Sequence, residues 1–342
     1  MSKESPTLKD VAQLAGVSID TARRALENHP STRRNLKKLV DAAAAELGYR
    51  PNLMARALRD KSLWLVPVSI SEMNTPYFAD LAEALARELT GRRLAPVVCH
   101  SHEHLRSLCQ AFPARVCILA NGLGEETVSE FAARQKVVTL NSGLPERDGV
   151  YDVAIDFAPA YDALCEKLAA EGRRRYCIYS PLTARAREHG WRLPKHLVIR
   201  AAAAAHGLSP LRDDPDANAA VSLNDLAGMT AGAGGDLAVF CENDSVAARA
   251  ATALLMAGKR LPRDLRLVGC DGTLLLPGVW TLRLDTEKMA AAAVQAAQDL
   301  FSETIAGGRL ALRPALVLDD MAARTMGMPI PENAIRACPK AI

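Results

Sequence analysis

A short stretch near the amino terminus carries side chains of the types that bind double-stranded DNA. Arg24 can donate two hydrogen bonds to guanine, Asp20 can accept one from the amino group of cytosine, and Ile19 can contact a thymine methyl group. Hydroxyl groups and a further guanidinium suit phosphate oxygens, which position a protein on DNA without specifying a sequence. The candidates for phosphate contact are Thr7, Ser18, Thr21 and Arg23.

Two short helices joined by a tight turn are needed to present these side chains together. The run TLKDVAQLAG has apolar residues at helical spacing, which predicts a helix capped by Thr7 and ended near Gly16. Ser18 is the predicted N-cap of a second helix that runs to about Leu26. In a helix-turn-helix the second helix lies in the major groove, with its first residues on base edges. Any short helix pair with a glycine turn has a similar pattern, so the motif alone leaves that alternative open.

A supporting helix and a linker follow this pair. The apolar spacing predicts a third helix that Ser31 or Thr32 caps and Gly48 ends, and Pro51 prevents it from continuing.

The linker itself has side chains that suit the minor groove. Its run NLMARAL is short and amphipathic, as expected of a helix that orders on DNA, and Leu58 could then wedge into a base step and kink it. Asn52 and Ala55 are the other candidates for DNA contact in this segment. The alternative is a plain linker with an incidental leucine.

The charge distribution separates a basic head from a nearly neutral body. Residues 1–61 carry 12 Lys and Arg against 7 Asp and Glu, whereas the remaining 281 residues carry 30 against 32. We therefore expect only the head to meet a polyanion.

Several classes of protein are not indicated by the sequence. The eight cysteines form no CxxC pair and no cluster with histidine, and several lie in apolar runs, as expected of reduced buried thiols. The first residues have no apolar region like that of a signal peptide, and no run of 18 apolar residues occurs, so we expect a cytoplasmic protein without a membrane partner. No glycine-rich phosphate loop, metal-ligand spacing or Ser/His/Asp order is evident, so we expect no cofactor, no metal and no enzymatic activity.

From residue 63 onward, short β-rich runs alternate with helical segments. Examples of the runs are LWLVPVSI, ARVCILA and DLAVFC, and an example of a helical segment is FADLAEALARELTG. Such alternation predicts parallel sheets covered by helices. Because roughly 265 residues are many for one such sheet, two similar lobes are expected.

These features together resemble the LacI/GalR family of bacterial repressors. The resemblance rests on DVAQLAGVSIDTARRAL, followed at fixed spacing by LGYRPN and ARAL, and on NTPYFADL, AREHGW, PGVWTLRLD and the block from CENDSVAARAATALLMAGK to VGCDG. It covers about residues 7–325. It implies a periplasmic-binding-protein-like body of two lobes with an effector between them, a homodimer and a palindromic operator.

The resemblance also implies a set of effector-binding residues. Aromatic residues would form the first-lobe wall, and an arginine, an amide and carboxylates would hold the hydroxyl groups of a polar ligand. Each position has a plainer alternative: core packing for the aromatic pair, a surface ion pair for the arginine, and helix capping or a turn for the amide and the second-lobe carboxylate. The candidates are Tyr77, Phe78, Asp156, Arg187, Asn243, Asp271 and Trp280.

The chain departs from the family pattern at some of these positions. Trp280 replaces the first threonine of a Thr-Thr pair, which would place a large ring near the cleft, and Cys270 stands where an aromatic residue is common. Gly272 follows Asp271 where a polar residue is frequent. The effector of a relative therefore cannot be assumed for this chain.

The sequence thus predicts a helix-turn-helix domain over 1–50, a hinge helix and linker over 51–62, an effector-binding and dimerisation domain over 63–330, and a tail over 331–342. The predicted function is a transcriptional regulator, a repressor of an operon for a sugar or related small molecule. Its partners would be operator DNA, a second copy of the chain, and a sugar, sugar phosphate or similar polar effector. The main alternative is a DNA-binding regulator whose body has lost effector binding and only dimerises.

Overall fold

The structure is a computed structural model that describes residues 6–27, 29, 32–50, 65–70, 73–112, 114–120, 124–181, 194–212, 219–220, 222–232 and 234–318. The chain divides into two compact units, residues 1–62 and 63–342. Four of the candidate residues, Asn52, Ala55, Leu58 and Arg187, lie outside the described residues.

The first unit contains three helices, and the predicted caps of the first two are present. The helices are α1 (Leu8–Leu14), α2 (Ile19–Leu26) and α3 (Arg34–Leu47). Thr7 caps α1 in a reciprocal capping box with Asp10, and the Ser18 hydroxyl accepts a hydrogen bond from the Thr21 amide at 3.1 Å. Gly16 has the left-handed φ of 64° that the turn between α1 and α2 requires.

The beginning of α3 differs from the prediction, whereas its end agrees with it. Arg33 is the N-cap and makes no side-chain capping bond, so the prediction that Ser31 or Thr32 caps this helix was wrong. Gly48 ends α3 with a φ of 64°, as expected. Small side chains form the core between the three helices, which allows their backbones to approach closely: Val11, Ala12, Ala22, Ala25, Val40, Ala43 and Ala44.

The second unit is built on two sheets in which parallel pairing dominates. The strands are β1 (Leu65–Ile70), β2 (Ala95–Cys99), β3 (Val116–Ala120), β4 (Lys136–Leu140), β5 (Val150–Ile155), β6 (Arg175–Tyr179), β7 (Ser209–Pro210), β8 (Ala219–Ala220), β9 (Leu237–Cys241), β10 (Arg266–Val268), β11 (Val279–Arg283), β12 (Gly308–Leu312) and β13 (Ala315–Val317). The first sheet has the order β12-β5-β4-β3-β1-β2, and the second has the order β13-β11-β10-β9-β6-β7, with β8 also beside β6. Among the pairings between these strands, only that of β13 with β11 is antiparallel.

Helices cover both faces of each sheet, and this confirms the predicted fold class of a small helical head with a two-lobed α/β body. In the first lobe α4 and α11 pack on one face of the sheet, and α5 and α6 pack on the other. In the second lobe α7 and α8 cover one face, and α9 and α10 cover the other. The helices are α4 (Pro76–Gly91), α5 (His102–Ala111), α6 (Glu125–Ala132), α7 (Ala158–Ala170), α8 (Pro194–Ala205), α9 (Leu223–Thr230), α10 (Asp244–Met256) and α11 (Thr286–Phe301).

The chain passes between the two lobes at three places. The first crossing joins β5 to α7 through Asp156 and Phe157, and the second joins β11 to α11 through Leu284 and Asp285. The third joins β12 to β13 through residues 313–314. The polar residues that follow the carboxyl ends of the strands therefore lie beside these crossings, where open parallel sheets bind ligands.

Within the part of the chain that the structure describes, no helix is long and apolar enough to cross a membrane. The seven cysteines in that part are free, and all except Cys109 are buried.

Candidate nucleic-acid interface and interlobe site

The exposed face of α2 carries the residues that the sequence predicts for DNA contact. Ala22 and Ala25 are fully buried against α1 and α3, whereas Asp20 and Arg24 are exposed. Ile19, at the start of α2, is also 44% exposed. An apolar side chain in this position has no partner in the core, so it is available to a surface outside the head.

The charged residues of α2 are joined to each other. Asp20 Oδ1 accepts a bond from Arg23 Nη1 at 3.0 Å, and Asp20 Oδ2 lies 2.9 Å from Arg24 Nη2. The carboxylate thus faces the arginines on the exposed side of the helix. Thr7 and Ser18, two of the predicted phosphate ligands, are exposed, and Thr21 and Arg23 are partly exposed.

In the second unit, the first turn of α4 brings two aromatic residues to the edge of the first lobe. Tyr77 is buried, and its ring lies 4.8 Å from that of Phe78 in an edge-to-face arrangement. The Tyr77 hydroxyl donates to Met289 Sδ of α11 at 3.3 Å. Burial raises the pKa of Tyr77, and the charges of Asp271 and Cys270 raise it further. Both of those residues belong to the second lobe.

Asp271 lies in a sharp turn after β10 that is bonded to the second crossing. Its φ of 102° is unusual for a residue with a side chain. Its amide donates to the Leu282 carbonyl at 2.8 Å, and its carbonyl accepts from the Leu284 amide at 3.1 Å. Gly272 is required next, because a Cβ there would lie 2.5 Å from Cβ of Arg283. Close packing therefore explains the glycine at this departure from the family pattern.

The carboxyl group of Asp271 is surrounded by other ionisable groups. Burial raises the pKa of Asp271, and the nearby carboxylates of Asp244 and Glu242 raise it as well, to about 8. Lys195 and a hydrogen bond from Cys270 act in the opposite direction. The side chain therefore carries a proton over most of the neutral range and can donate as well as accept a hydrogen bond.

Asn243 and Asp244 begin α10 at the same end of the second sheet. The Asn243 side-chain oxygen accepts a bond from the Val246 amide at 2.9 Å, so this residue has the capping role that the sequence left open. Asp244 accepts bonds from the Thr281 hydroxyl at 2.6 Å and from the Thr273 amide at 2.8 Å. Its amide also donates to the Cys270 carbonyl at 2.8 Å, which places Asn243 and Asp244 beside Asp271.

Sequence reasoning missed a buried ion pair in this region. Lys195 Nζ lies 2.6 Å from Glu242 Oε1 and also donates to the Glu242 carbonyl oxygen, while the Ser180 hydroxyl donates to Oε2 at 2.6 Å. His196 Nε2 lies 3.3 Å from the same Oε2. Burial acts to raise the pKa of Glu242, but the charge of Lys195 and the bond from His196 hold it well below its usual range.

A signal for one member of this pair was present in the sequence. Glu242 directly follows the apolar run LAVFC, and a carboxylate that ends a buried strand needs a cation or several donors. Nothing near Lys195 in the sequence identifies it as the partner, since 47 positions separate the two residues.

The remaining effector candidates are not all brought to one place. Asp156 lies in the first crossing, where its carboxylate accepts from the Ala158 amide and lies 3.5 Å from Arg313 Nε of the third crossing. Trp280 is buried in the second-lobe core, with its ring 4.4 Å from Arg266 Cζ. Arg266 forms an ion pair with Glu171, which lies in the connection between α7 and β6. That connection is at the amino ends of the second-lobe strands, opposite the carboxyl ends at which a ligand is expected. The expectation of a large ring near the cleft is therefore wrong for Trp280.

Each of the two units contains a segment that matches a known protein family. Residues 7–52 match the family described as "Bacterial regulatory proteins, lacI family", and residues 165–318 match the periplasmic binding protein-like domain. The chain is 38% identical over 96 residues to the sucrose operon repressor of Pediococcus pentosaceus, a match that spans 28% of this chain and 29% of that protein.

Other relatives match over most of their length. A helix-turn-helix transcriptional regulator from the aml 5′ region of Streptomyces limosus is 27% identical, over 92% of this chain and 93% of that one. The sucrose operon repressor of Escherichia coli is 26% identical, over 81% and 89%. Among solved structures, the lac repressor dimer bound to operator and the anti-inducer ONPF superposes with a TM-score of 0.72 at 21% identity, over 92% of this chain and 98% of that one.

The raised pKa of Asp271 predicts a specific dependence of stability on pH. Between the ordinary aspartate pKa of 3.8 and the raised pKa of about 8, the folded protein keeps a proton that the unfolded chain releases, so this group lowers the free energy of unfolding as pH rises. Asp271→Asn removes the titrating group. We expect the free energy of unfolding in urea to fall less between pH 5 and pH 8 in this variant than in the wild type.

Asp236→Asn, in the same lobe, is the matched control. Bonds from Arg175 lower the pKa of Asp236 despite some burial, so its contribution is already complete at pH 5 and its loss should cost the same at both pH values. An unchanged pH dependence in Asp271→Asn would contradict the assignment of the neutral carboxyl.

Proposed function

Because the chain belongs to the lacI family of bacterial regulatory proteins, we propose that it represses an operon for a sugar or related small molecule. It would bind a palindromic operator as a homodimer, in the cytoplasm, under the control of a polar effector held between the two lobes. The exposed, arginine-bearing face of α2 is the observation that carries the DNA-binding part of this proposal.

Base reading is assigned to the first turns of α2. Arg24 presents its guanidinium on the exposed face for guanine, and the exposed Ile19 supplies an apolar surface for a thymine methyl group. Thr7, Ser18, Thr21 and Arg23, all at least partly exposed, are the proposed phosphate contacts. The minor-groove role of Asn52, Ala55 and Leu58 stays a prediction from the family resemblance.

Selection of bound DNA from a random pool tests this assignment. We expect a palindromic consensus with a G·C base pair at the same position of each half-site, because two identical heads related by a twofold axis read the same sequence. Arg24→Ala should weaken binding to that consensus roughly tenfold or more and relax selection at the guanine. Lys38→Ala, an exposed cation of α3, serves as the control and should leave the consensus unchanged. A non-palindromic consensus would contradict the symmetric dimer.

Dimerisation is supported by apolar side chains that the second lobe leaves in solvent. Leu255 is 55% exposed and Met256 is 85% exposed at the end of α10. Neighbouring exposed apolar residues of this kind mark protein contact surfaces, and a second copy of the chain is the partner expected of this family.

Sedimentation of two matched variants tests the dimer surface. Leu255→Glu buries a charge in the proposed contact, so we expect a shift from dimer to monomer and a loss of operator affinity of roughly tenfold or more. Leu197→Glu changes a leucine of α8 with the same 55% exposure and should leave both unchanged. If both variants sediment alike, Leu255 does not lie in the dimer interface and the proposed contact surface is wrong.

Effector control is supported by the bonds that connect the second crossing to Tyr77 of the first lobe and to Asp271 of the second lobe, the two sides of the proposed interlobe site. Leu284 binds Asp271 through its amide, Asp285 caps α11 by accepting from the Lys288 amide at 3.0 Å, and Met289 accepts from Tyr77. A ligand that holds Tyr77 and Asp271 together therefore acts on one short segment that joins the lobes. Such a contact favours one angle between the lobes over another, which is the change that couples effector to DNA.

The ligand would be a polar metabolite with hydroxyl groups. The Asp271 carboxyl can donate and accept, and the amide nitrogen of Asn243 can donate, since its oxygen is used in capping. Phe78 and Asp156 complete the proposed set, and Arg187 stays in it as a prediction. Trp280 is left out.

A panel of sugars, sugar phosphates and nucleosides tests the effector, first by thermal shift and then by a reporter under the selected operator. We expect at least one compound to raise the melting temperature, because a ligand that binds only the folded state stabilises it. The same compound should change reporter expression, and deletion of the regulator gene should raise it. If no compound in the panel acts, the body serves only to dimerise; if expression falls on deletion, the protein is an activator.

A further inference from the structure

We propose that Asp20 is a positioning residue for Arg24, and that it sets sequence specificity without reading a base itself. The assignment rests on the proposed function, since it takes α2 as the helix in the major groove. It differs from the expectation that Asp20 accepts a bond from cytosine.

Each oxygen of the Asp20 carboxylate faces an arginine of the same helix. Oδ1 holds Arg23 Nη1 at 3.0 Å and Oδ2 holds Arg24 Nη2 at 2.9 Å, from residues three and four positions further along the helix. These are the two spacings at which helical side chains lie on one face. A cytosine amino group would have to approach a carboxylate that already accepts a charge-assisted hydrogen bond from Arg23 and forms an ion pair with Arg24.

The same geometry leaves Arg24 free to read guanine. Nη2 is the Arg24 atom that faces the carboxylate, and a guanidinium has five N–H donors, so Nη1 and the second hydrogen of Nη2 can still form the paired bonds to O6 and N7. The bond to Asp20 restricts the rotation of a long and flexible side chain. A pre-oriented fork loses less rotational freedom on binding and discriminates better between bases.

Asp20 also limits contacts that carry no sequence information. Two unpaired arginines on adjacent positions would bind phosphates on any DNA, and each such contact adds to the dependence of affinity on salt. A carboxylate between the two guanidinium groups cancels one of these charges and repels phosphate. The expected result is weaker non-specific binding with sequence selection preserved.

The fold of the head does not depend on Asp20. Ser18 is the cap of α2 and accepts from the Thr21 amide, whereas the Asp20 side chain is half exposed and bonds only the two arginines among the described contacts. Asp20→Asn keeps the size of the side chain and removes its charge. The variant is therefore expected to fold, which circular dichroism and the melting temperature can verify.

A double-mutant cycle with the full-length protein tests the proposal. The cycle compares the wild type with Asp20→Asn, Arg24→Lys and the double variant. Each protein is titrated with the selected operator and with an operator in which the G·C base pair of each half-site is replaced. Each is also titrated with random-sequence DNA at several KCl concentrations. We expect Asp20→Asn to reduce discrimination at the G·C base pair about five- to tenfold, to tighten binding to random DNA, and to steepen the salt slope by about one. In the Arg24→Lys background, Asp20→Asn should not change discrimination further.

Asp41→Asn is the matched control, because Asp41 forms a similar ion pair with Lys37 at 2.6 Å on α3. It should leave discrimination unchanged. If instead the effects of Asp20→Asn and Arg24→Lys are additive, and Asp20→Asn removes selection at a cytosine, Asp20 reads a base directly and the proposal is wrong. A wild-type protein without sequence preference is a separate outcome, which overturns the proposed function and this assignment with it.

Discussion

The interlobe site depends on the buried carboxylate of Asp244. This single side chain accepts bonds from Thr281 of β11 and from the amides of Thr273 and Leu274, and so closes the turn that carries Asp271. Burial raises its pKa, while these bonds oppose the rise. It also excludes a side chain at Gly269, where a Cβ would lie 2.2 Å from its oxygen. The left-handed backbone of Asp271 persists because this network determines it from several directions.

That turn matters because it is joined to the segment that links the lobes. The amide of Asp271 donates to Leu282 of β11, and its carbonyl accepts from Leu284 in the second crossing. The helix after this crossing, α11, packs against α4, the helix that carries Tyr77. A rigid turn of this kind transmits a contact at its side chain to the crossing, whereas a flexible loop would absorb it. The first and third crossings are joined more weakly, by an ion pair at 3.5 Å between Asp156 and Arg313 that is partly exposed. The second crossing is therefore the stronger candidate for carrying coupling between the lobes.

Local signals explain which parts of the fold the sequence predicted. The caps at Thr7 and Ser18 and the stop at Gly48 depend on a few adjacent residues, and buried strands such as β1, β3 and β9 depend on continuous apolar runs, so these were predicted. The buried strand β11 was not among the predicted strands. The edge strands β12 and β13 had no counterpart among the predicted strands, because they are short and largely exposed and form by pairing with distant partners. Trp280 was misplaced for a related reason: its position in a motif identifies the strand, but the partner of its ring, Arg266, is set by tertiary packing. The pair of Lys195 and Glu242 was missed since neither residue determines the other locally.

Two ion pairs of this protein have opposite environments. The pair of Asp20 and Arg24 is solvated, with about half of each side chain exposed, so the arginine that Asp20 orients stays accessible from outside the head. The pair of Lys195 and Glu242 is largely buried, and removal of either partner would leave an uncompensated charge at a cost of about 3–5 kcal/mol. The buried pair thus holds the second lobe in a fixed geometry beside Asp271, the residue proposed to bind the effector. The exposed pair orients an arginine on the helix proposed to enter the major groove, where the guanidinium must be both held and accessible.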